Sequence, residues 1–254
     1  MAKMTDEVLY AVSDGIATIT LNRPSKLNAI NRNMIDALFA AWHRFETDAA
    51  ARVAILTAAG DRAFCVGRDL SEAADGIFTI DSFPVIGISI EVTKPTIAAV
   101  NGLALGGGFL LAQMCDLCVA AESATFSIPE AKLGRGAAWA APLVRMLPPR
   151  VAMELLTTAA SMSADRLYQL GFVNAVVPLS GLAETAAELA ATIVANAPLS
   201  VQACGRMVRM AASPGAVMDR ATAEALFKHV YESEDAREGL LAYRERRTPQ
   251  WKGK

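Results

Sequence analysis

The sequence is poor in histidine and cysteine, which limits the chemistry that it can support. The 254 residues include two histidines, His43 and His229, whose separation does not match the spacing of metal ligands. The four cysteines fit reduced core residues better than a disulfide framework in a chain of this length. Cys115 and Cys118 form a C-x-x-C, but their apolar surroundings favour a buried strand over a redox or zinc site. We therefore expect no metal.

An excess of one charge and long apolar runs are also lacking. Lys and Arg total 24 against 26 Asp and Glu, so the sequence does not favour a nucleic-acid surface. No segment reaches the roughly 18 uncharged apolar residues of a membrane span, and the N-terminus has no signal-peptide pattern. We expect a soluble, cytoplasmic protein without a nucleic-acid or membrane partner. At 53% hydrophobic residues, the chain can bury a large core.

The order of apolar patterns predicts an α/β fold. Two alternating runs around Asp14-Gly15 predict a β-hairpin, and a helix capped by Asn31 follows. Further strands are predicted at 53–58, 96–102, 115–122, 125–129 and 172–178. Helices and Gly-rich turns separate these strands, which favours parallel pairing. The region from 197 to 247 has a helical pattern throughout. Its apolar faces must pack on the core or on a neighbouring subunit.

Three consecutive glycines, Gly106 to Gly108, stand between a predicted strand and a predicted helix. Backbone N–H groups at a helix N-terminus favour a negatively charged ligand. A tight turn or close packing would explain one glycine, whereas three favour an anion or oxyanion site. A phosphate cradle is also compatible with glycines, but no Lys-Ser or Lys-Thr follows them and the spacing is not G-x-G-x-x-G. A nucleotide-binding loop is therefore not expected.

A second glycine turn lies in the segment AFCVGRDL, at 63–70, again after a predicted strand. Two such turns can offer one N–H each to a single oxygen, which is how an oxyanion hole is built. Together with NRPSKLNAI, KPTIAAVNGLALGGGFLLAQMCDLCVAAESATFSIPEAKLG, GFVNAVVP and DAREGLLAYRERRTPQWKG, this segment resembles the crotonase (enoyl-CoA hydratase/isomerase) superfamily. The motifs follow the family's order over nearly the whole chain.

The resemblance implies a fold, an assembly and a substrate. It implies an α/β fold with a crotonase-like spiral of ββα repeats at 1–195 and a helical C-terminal region at 196–254 that builds trimers or dimers of trimers. The substrate would be an acyl-CoA thioester, with no separate cofactor because coenzyme A is part of it. The thioester oxygen would lie between the backbone N–H groups of Arg68 and Gly107. Coenzyme A would be held by two loops, through Lys26, Leu27, Ala29, Val66, Gly67, Asp69 and Leu70.

The acid and base distinguish reactions within the superfamily. Its hydratases typically carry one glutamate in the first turn after the glycines and a second in a Pro-Glu motif; here Leu110 and Glu130 stand at those positions. One Glu can move a proton from the α- to the γ-carbon of a 3-enoyl-CoA, whereas hydration also needs a positioned water. The pattern resembles the Δ3,Δ2-enoyl-CoA isomerase branch, with Glu130 as sole acid and base. We rank isomerisation above 2-enoyl-CoA hydration in fatty-acid β-oxidation.

Several of these assignments have alternatives. Glu130 also fits a favourable charge near a helix dipole; if it is buried beside Phe109, Leu110 and Trp139, its pKa should rise toward neutrality. The acyl pocket is predicted from Leu110, Trp139, Phe78 and Phe83, although such aromatic residues are more often part of the core. A thioester hydrolase that uses Glu130 and a catalytically decayed acyl-CoA-binding protein stay open as functions. A Ser- or Cys-nucleophile hydrolase is disfavoured, because neither histidine lies beside a family motif.

Overall fold

Two β-sheets and a set of helices make up the computed structural model, which describes residues 6–69, 82–213 and 220–254. The strands are β1 (Val8–Ser13), β2 (Ile16–Leu21), β3 (Val53–Ala58), β4 (Ala63–Cys65), β5 (Thr96–Val100), β6 (Leu103–Leu105), β7 (Leu117–Ala121), β8 (Thr125–Ser127), β9 (Met162–Ser163) and β10 (Ala175–Val177). The α-helices are α1 (Arg32–Thr47), α2 (Gly107–Gln113), α3 (Leu143–Met146), α4 (Pro149–Thr158), α5 (Ala164–Gln169), α6 (Leu182–Val194), α7 (Pro198–Ala211), α8 (Arg220–Tyr231) and α9 (Glu234–Glu245).

Successive strand pairs alternate between the two sheets. The larger sheet has the order β1-β2-β3-β5-β7-β10 and the smaller sheet the order β4-β6-β8-β9. Each of the pairs β3–β4, β5–β6 and β7–β8 therefore adds one strand to each sheet. The strands of successive pairs run parallel in both sheets: β3 with β5 and β5 with β7 in the larger one, and β4 with β6 and β6 with β8 in the smaller one. Only β1–β2 and β8–β9 are antiparallel among the described pairs. This repetition agrees with the predicted spiral.

The central strands of the larger sheet, β3, β5 and β7, are buried on both faces over most of their length, which explains their continuous apolar runs. Alternate residues of β5 contribute to different cores: Ala98 and Val100 join the main core, whereas Ile97 and Ala99 join a second cluster. That second cluster is completed by α6, through Leu182, Ala186 and Ala190. The main core contains residues of α1 and α2 and of the smaller sheet.

Local signals account for the elements that were predicted correctly. Asp14 and Gly15, at the hairpin turn, both have positive φ, at 52° and 82°. The Asn31 side chain accepts a hydrogen bond of 2.8 Å from the Met34 N–H and so caps α1, as its residue type predicts.

The predictions were wrong or incomplete where elements are short. The strands β4, β6 and β9 were not predicted, and β5, β7, β8 and β10 are shorter than expected, because runs of two to five residues have little periodicity of their own. Their pairing depends on partners elsewhere in the chain. The last helix ends at Glu245 rather than at the predicted residue 247. The next residue, Arg246, has a positive φ of 53°.

The C-terminal helices α7, α8 and α9 follow the predicted boundary at 195/196, and the division into two domains stays a prediction. The final residues fold back on the chain: the buried Asp235 carboxylate accepts N–H bonds from Lys252 and Gly253, at 2.7 and 2.9 Å. The Trp251 indole donates to the Ala195 carbonyl at 2.7 Å. Over the described ranges, no helix has both the length and the apolar character needed to cross a bilayer.

Candidate active site

The glycine triplet forms the turn between β6 and α2. The Gly106 N–H donates to the Ser127 carbonyl at 2.9 Å, which ties the turn to β8, and Gly106 has a positive φ of 51°. A Cβ on Gly108 would lie 1.9 Å from the Cys65 carbonyl oxygen, so only glycine lets α2 approach β4 this closely. The glycines therefore place the first turn of α2 directly beside the end of β4.

The second glycine turn lies opposite the first. Ile30 donates its N–H to the Gly67 carbonyl and accepts the Asp69 N–H, both at 2.8 Å, as in a parallel bridge between Ile30 and Arg68. Because amide directions alternate along an extended segment, the Arg68 N–H is directed away from Ile30. A Cβ built on Gly107 would lie 3.9 Å from the Arg68 nitrogen. The two turns thus converge, as their sequences predict.

Glu130 lies beside the first of these turns, in a 3-10 turn at Pro129–Leu133 that follows β8. Its Oε1 lies 3.2 Å from the position that a Cβ on Gly106 would take, and it accepts a hydrogen bond of 3.0 Å from the Trp139 indole N–H. Its Oε2 is buried and has no hydrogen-bond partner among the described residues. The carboxyl group therefore has one held oxygen and one oxygen with unused hydrogen-bonding capacity.

The environment of Glu130 favours its protonated form. Burial raises the pKa of this carboxyl above its ordinary value of 4.5, while its own backbone N–H and the Trp139 indole oppose that rise by stabilising the carboxylate. The direction agrees with the prediction from sequence. A carboxyl group of this kind is suited to take up a proton and give it back.

Leu110 is the residue at the position where the family resemblance leads us to expect a second carboxyl group in hydratases. Leu110, in the first turn of α2, is 1% exposed and belongs to the main core together with Phe109 and Phe83. Trp139 is also in this core, with its ring 6.4 Å from that of Phe109. Trp139 therefore belongs to the core and at the same time contacts the candidate base. Phe78 lies outside the described residues.

Known proteins resemble this chain over its whole length. The model of the enoyl-CoA hydratase/isomerase family matches residues 11–254. The chain belongs to that family. Carnitinyl-CoA dehydratase of Salmonella typhi is 40% identical over 98% of this chain and 99% of its own, and that of Proteus mirabilis (strain HI4320) is 36% identical over 99% and 100%. The crystal structure of an enoyl-CoA hydratase from Mycobacterium tuberculosis H37Rv superposes with a TM-score of 0.90 at 37% identity, covering 98% of this chain and 100% of that chain.

Family membership confirms the α/β crotonase-like fold and an enzyme that acts on CoA thioesters. It does not test the role of any single residue. The two loops predicted to hold coenzyme A do come together: the Val66 N–H donates to the Leu27 carbonyl at 3.3 Å. Lys26 is exposed at this junction, whereas Ala29 is buried, and Leu70 lies outside the described residues.

Arg23 and Asn28 support these loops and were not identified from the sequence. Arg23 forms ion pairs of 3.3 Å with Glu7 and Asp69 and donates to the Ala29 carbonyl. The Asn28 side chain, 1% exposed, donates to the Ala63 carbonyl at 2.9 Å. The Asp69 carboxylate is therefore engaged within the protein by Arg23, and the Asp69 N–H by the Ile30 carbonyl. A charged residue in a polar loop gives no sequence signal of such pairing.

A surface hollow of about 640 Å³ lies between α1 and the segment 89–93, away from Glu130. Its Glu46 carboxylate is already bonded to the backbone N–H and the hydroxyl of Thr93, at 2.9 and 2.6 Å. The hollow lacks a buried polar group comparable to Glu130 among its described lining residues. The glycine turns and Glu130, rather than this hollow, are the candidate active site.

Proposed function

We propose that this enzyme moves a proton within an enoyl-CoA thioester, as a Δ3,Δ2-enoyl-CoA isomerase whose sole acid and base is Glu130. The observation that carries the proposal is the Glu130 carboxyl group beside the glycine turn, with Oε2 buried and unpartnered in the described structure, while a buried leucine stands at position 110. One carboxyl group is enough for proton transfer between two carbons of one substrate.

The backbone amides of Arg68 and Gly107 are assigned to the thioester oxygen in this proposal. Their approach, with the Cβ position of Gly107 3.9 Å from the Arg68 nitrogen, supports a shared ligand. Two N–H groups directed at one oxygen stabilise the negative charge that develops when the α-proton leaves. Removal of one such donor typically lowers kcat by about 10²–10³-fold.

The proton path then uses Glu130 twice. In the first step its carboxylate takes the proton from the α-carbon, and the electron pair of the broken C–H bond delocalises into a dienolate. In the second step the new carboxylic acid returns the proton to the γ-carbon, and the double bond moves into conjugation with the thioester. The enzyme is regenerated with no net change of charge. A base whose pKa is raised by burial suits both steps.

Dehydration of a 3-hydroxyacyl-CoA, with its reverse hydration, is the second candidate. The relatives named carnitinyl-CoA dehydratase favour it, because they match the chain over nearly its full length at 36–40% identity. Glu130 would take the α-proton, and the β-hydroxyl group would leave as water with a proton returned by the same carboxyl group. The buried Leu110 argues against this reaction, because it supplies no polar atom to hold the water.

Three thioesters separate the candidates. The purified enzyme is incubated with 3-hexenoyl-CoA, 2-hexenoyl-CoA or 3-hydroxyhexanoyl-CoA, and the conjugated enoyl thioester is followed by absorbance beside the Glu130→Gln variant. Formation of conjugated product from the 3-enoyl substrate, lowered about 10²–10⁴-fold in the variant, is the expected result. Turnover of only the other two substrates would favour the dehydratase. Binding of all three without turnover would indicate a decayed acyl-CoA-binding protein.

We also propose a trimer or dimer of trimers in the cytoplasm, with coenzyme A bound only as part of the substrate. Large apolar side chains exposed on the C-terminal helices support self-association: Val208, Tyr231, Leu240, Leu241 and Tyr243. Light scattering at micromolar protein should give at least three times the mass of 26.9 kDa. A monomeric mass would overturn this part of the proposal.

A further inference from the structure

The Trp139 indole is the side chain that holds the Glu130 carboxyl group. Its Nε1–H donates to Oε1 at 3.0 Å, and no other side chain among the described residues forms a hydrogen bond with Glu130. We propose that Trp139 is a positioning residue: by occupying Oε1 it makes Oε2 the oxygen that accepts and returns the substrate proton. This inference rests on the acid–base role proposed for Glu130.

Trp139 can orient the carboxyl group because it is itself held. Its side chain is buried, its ring packs 6.4 Å from that of Phe109, and its backbone carbonyl accepts a bond of 3.0 Å from the Gln113 side chain. Phe109 and Gln113 both belong to α2, the helix that begins at the glycine turn. The orientation of the base and the position of the Gly107 amide therefore depend on the same helix.

The second restraint on Glu130 is steric. Oε1 lies 3.2 Å from the Cβ position of Gly106, and Oε2 lies 3.7 Å from it. A side chain at position 106 would crowd the oxygen that Trp139 binds. The glycine thus leaves room for the carboxyl group in this orientation, with Oε2 buried but unpartnered in the described structure.

Charged groups do not compete with the indole for this role in the described structure. The turn that carries Glu130 packs against α4, and the other charged residues of the turn, of the segment just after it and of α4 are exposed: Lys132, Arg135, Arg150 and Glu154. The pKa of Glu130 responds instead to burial, to its own amide and to the Trp139 bond. Loss of the indole N–H should therefore destabilise the carboxylate and raise that pKa further.

Indole NMR tests the bond without requiring turnover. The chain has three tryptophans, so protein labelled with ¹⁵N-tryptophan should give three indole N–H signals, and the one absent from Trp139→Phe identifies Trp139. We expect this signal to shift as Glu130 titrates and to lose that pH dependence in Glu130→Gln. Trp251, whose indole binds the Ala195 carbonyl, is the internal control. A Trp139 signal with the same pH dependence in Glu130→Gln would overturn the inference.

Kinetics test the positioning role. Trp139→Phe keeps an aromatic ring but removes the donor, so we expect kcat to fall, by up to about 10²-fold, with a smaller change in KM. The acid limb of the pH–rate profile should move to higher pH. Phe172→Leu is the matched control, because Phe172 packs on Phe109 at 5.2 Å and bonds to no carboxylate; its acid limb should stay at the wild-type pH. A wild-type kcat and pH profile in Trp139→Phe would refute the proposal.

Failure of the two proposals is distinguishable. If the wild-type enzyme turns over none of the thioesters, the proposed function fails, and the indole titration still shows whether Trp139 binds a titrating Glu130. If the wild-type enzyme is active and Trp139→Phe matches it, only the positioning role fails. Thermal unfolding of Trp139→Phe separates a local effect from loss of the fold. Loss of a pH-dependent indole signal between the wild-type and Glu130→Gln spectra can be seen without that variant.

Discussion

Gly108→Ala is the substitution whose consequence follows most directly from the structure. The added Cβ would lie 1.9 Å from the Cys65 carbonyl oxygen and 2.7 Å from the carbonyl carbon, whereas ordinary contact begins near 3.4 Å. To accept a methyl group, α2 and β4 would have to separate by about 1.5 Å. The main chain on both sides is buried, so no flexible side chain can relieve the overlap.

The expected cost has two parts. Overpacking of this kind lowers the free energy of unfolding by about 1–3 kcal/mol, which corresponds to about 2–12 °C in melting temperature for a chain of this size. A shift of about 1 Å in the first turn of α2 also moves the Gly107 amide away from the Arg68 amide. A displacement of that size can lower kcat/KM by about 10²-fold.

The assay is thermal unfolding followed by kcat/KM with 3-hexenoyl-CoA, beside Gly181→Ala. A Cβ on Gly181 meets no atom within 4 Å, and its φ of −94° is compatible with alanine. This control should lie within about 0.5 kcal/mol of the wild type. If Gly108→Ala matches the control in both measurements, the close approach of α2 and β4 does not position the candidate site.

Three further predictions follow from the burial of titratable groups. Burial raises the pKa of Glu130 above 4.5, and protonation removes the base as the pH falls. The acid limb of the pH profile of kcat/KM should therefore lie above pH 4.5. An acid limb at or below pH 4.5 would contradict this prediction. Burial raises the pKa of Cys65 and Cys118 to about 12 and that of Cys115 well above 9.0, so a thiol reagent should modify only the exposed Cys204 in the native protein. Cys204→Ser should abolish that reaction. A second thiol that reacts quickly in the native protein would contradict the burial of the other three cysteines. Asp235→Ala should remove the acceptor for the N–H groups of Lys252 and Gly253. We expect it to lower the free energy of unfolding by about 1–3 kcal/mol and to speed tryptic cleavage at the C-terminus. An unchanged melting temperature would mean that these bonds do not stabilise the fold.

Much of the fold was predictable because its signals are local. The Asp14-Gly15 hairpin, the Asn31 cap and the buried run of β3 each depend on a few neighbouring residues. The short strands β6 and β9 were missed because the partners that define them are distant in the chain. The loops show the same difference between local and distant contacts. Arg23 was not identified from the sequence, although it forms ion pairs with Glu7 and Asp69 and donates a hydrogen bond to the Ala29 carbonyl.

The sequence by itself determined the family, the order of the longer strands and of the helices between them, and Glu130 as the carboxyl group to consider, because these are carried by contiguous motifs. Only the tertiary structure decided how that group is surrounded. Trp139 follows Glu130 by 9 residues in a segment with no periodicity, and its indole reaches Oε1 while its backbone carbonyl is bound by Gln113 of α2. The meeting of the Gly107 turn with Arg68 likewise depends on the pairing of β4 with β6. Contacts between distant segments are set by packing, which no single motif encodes.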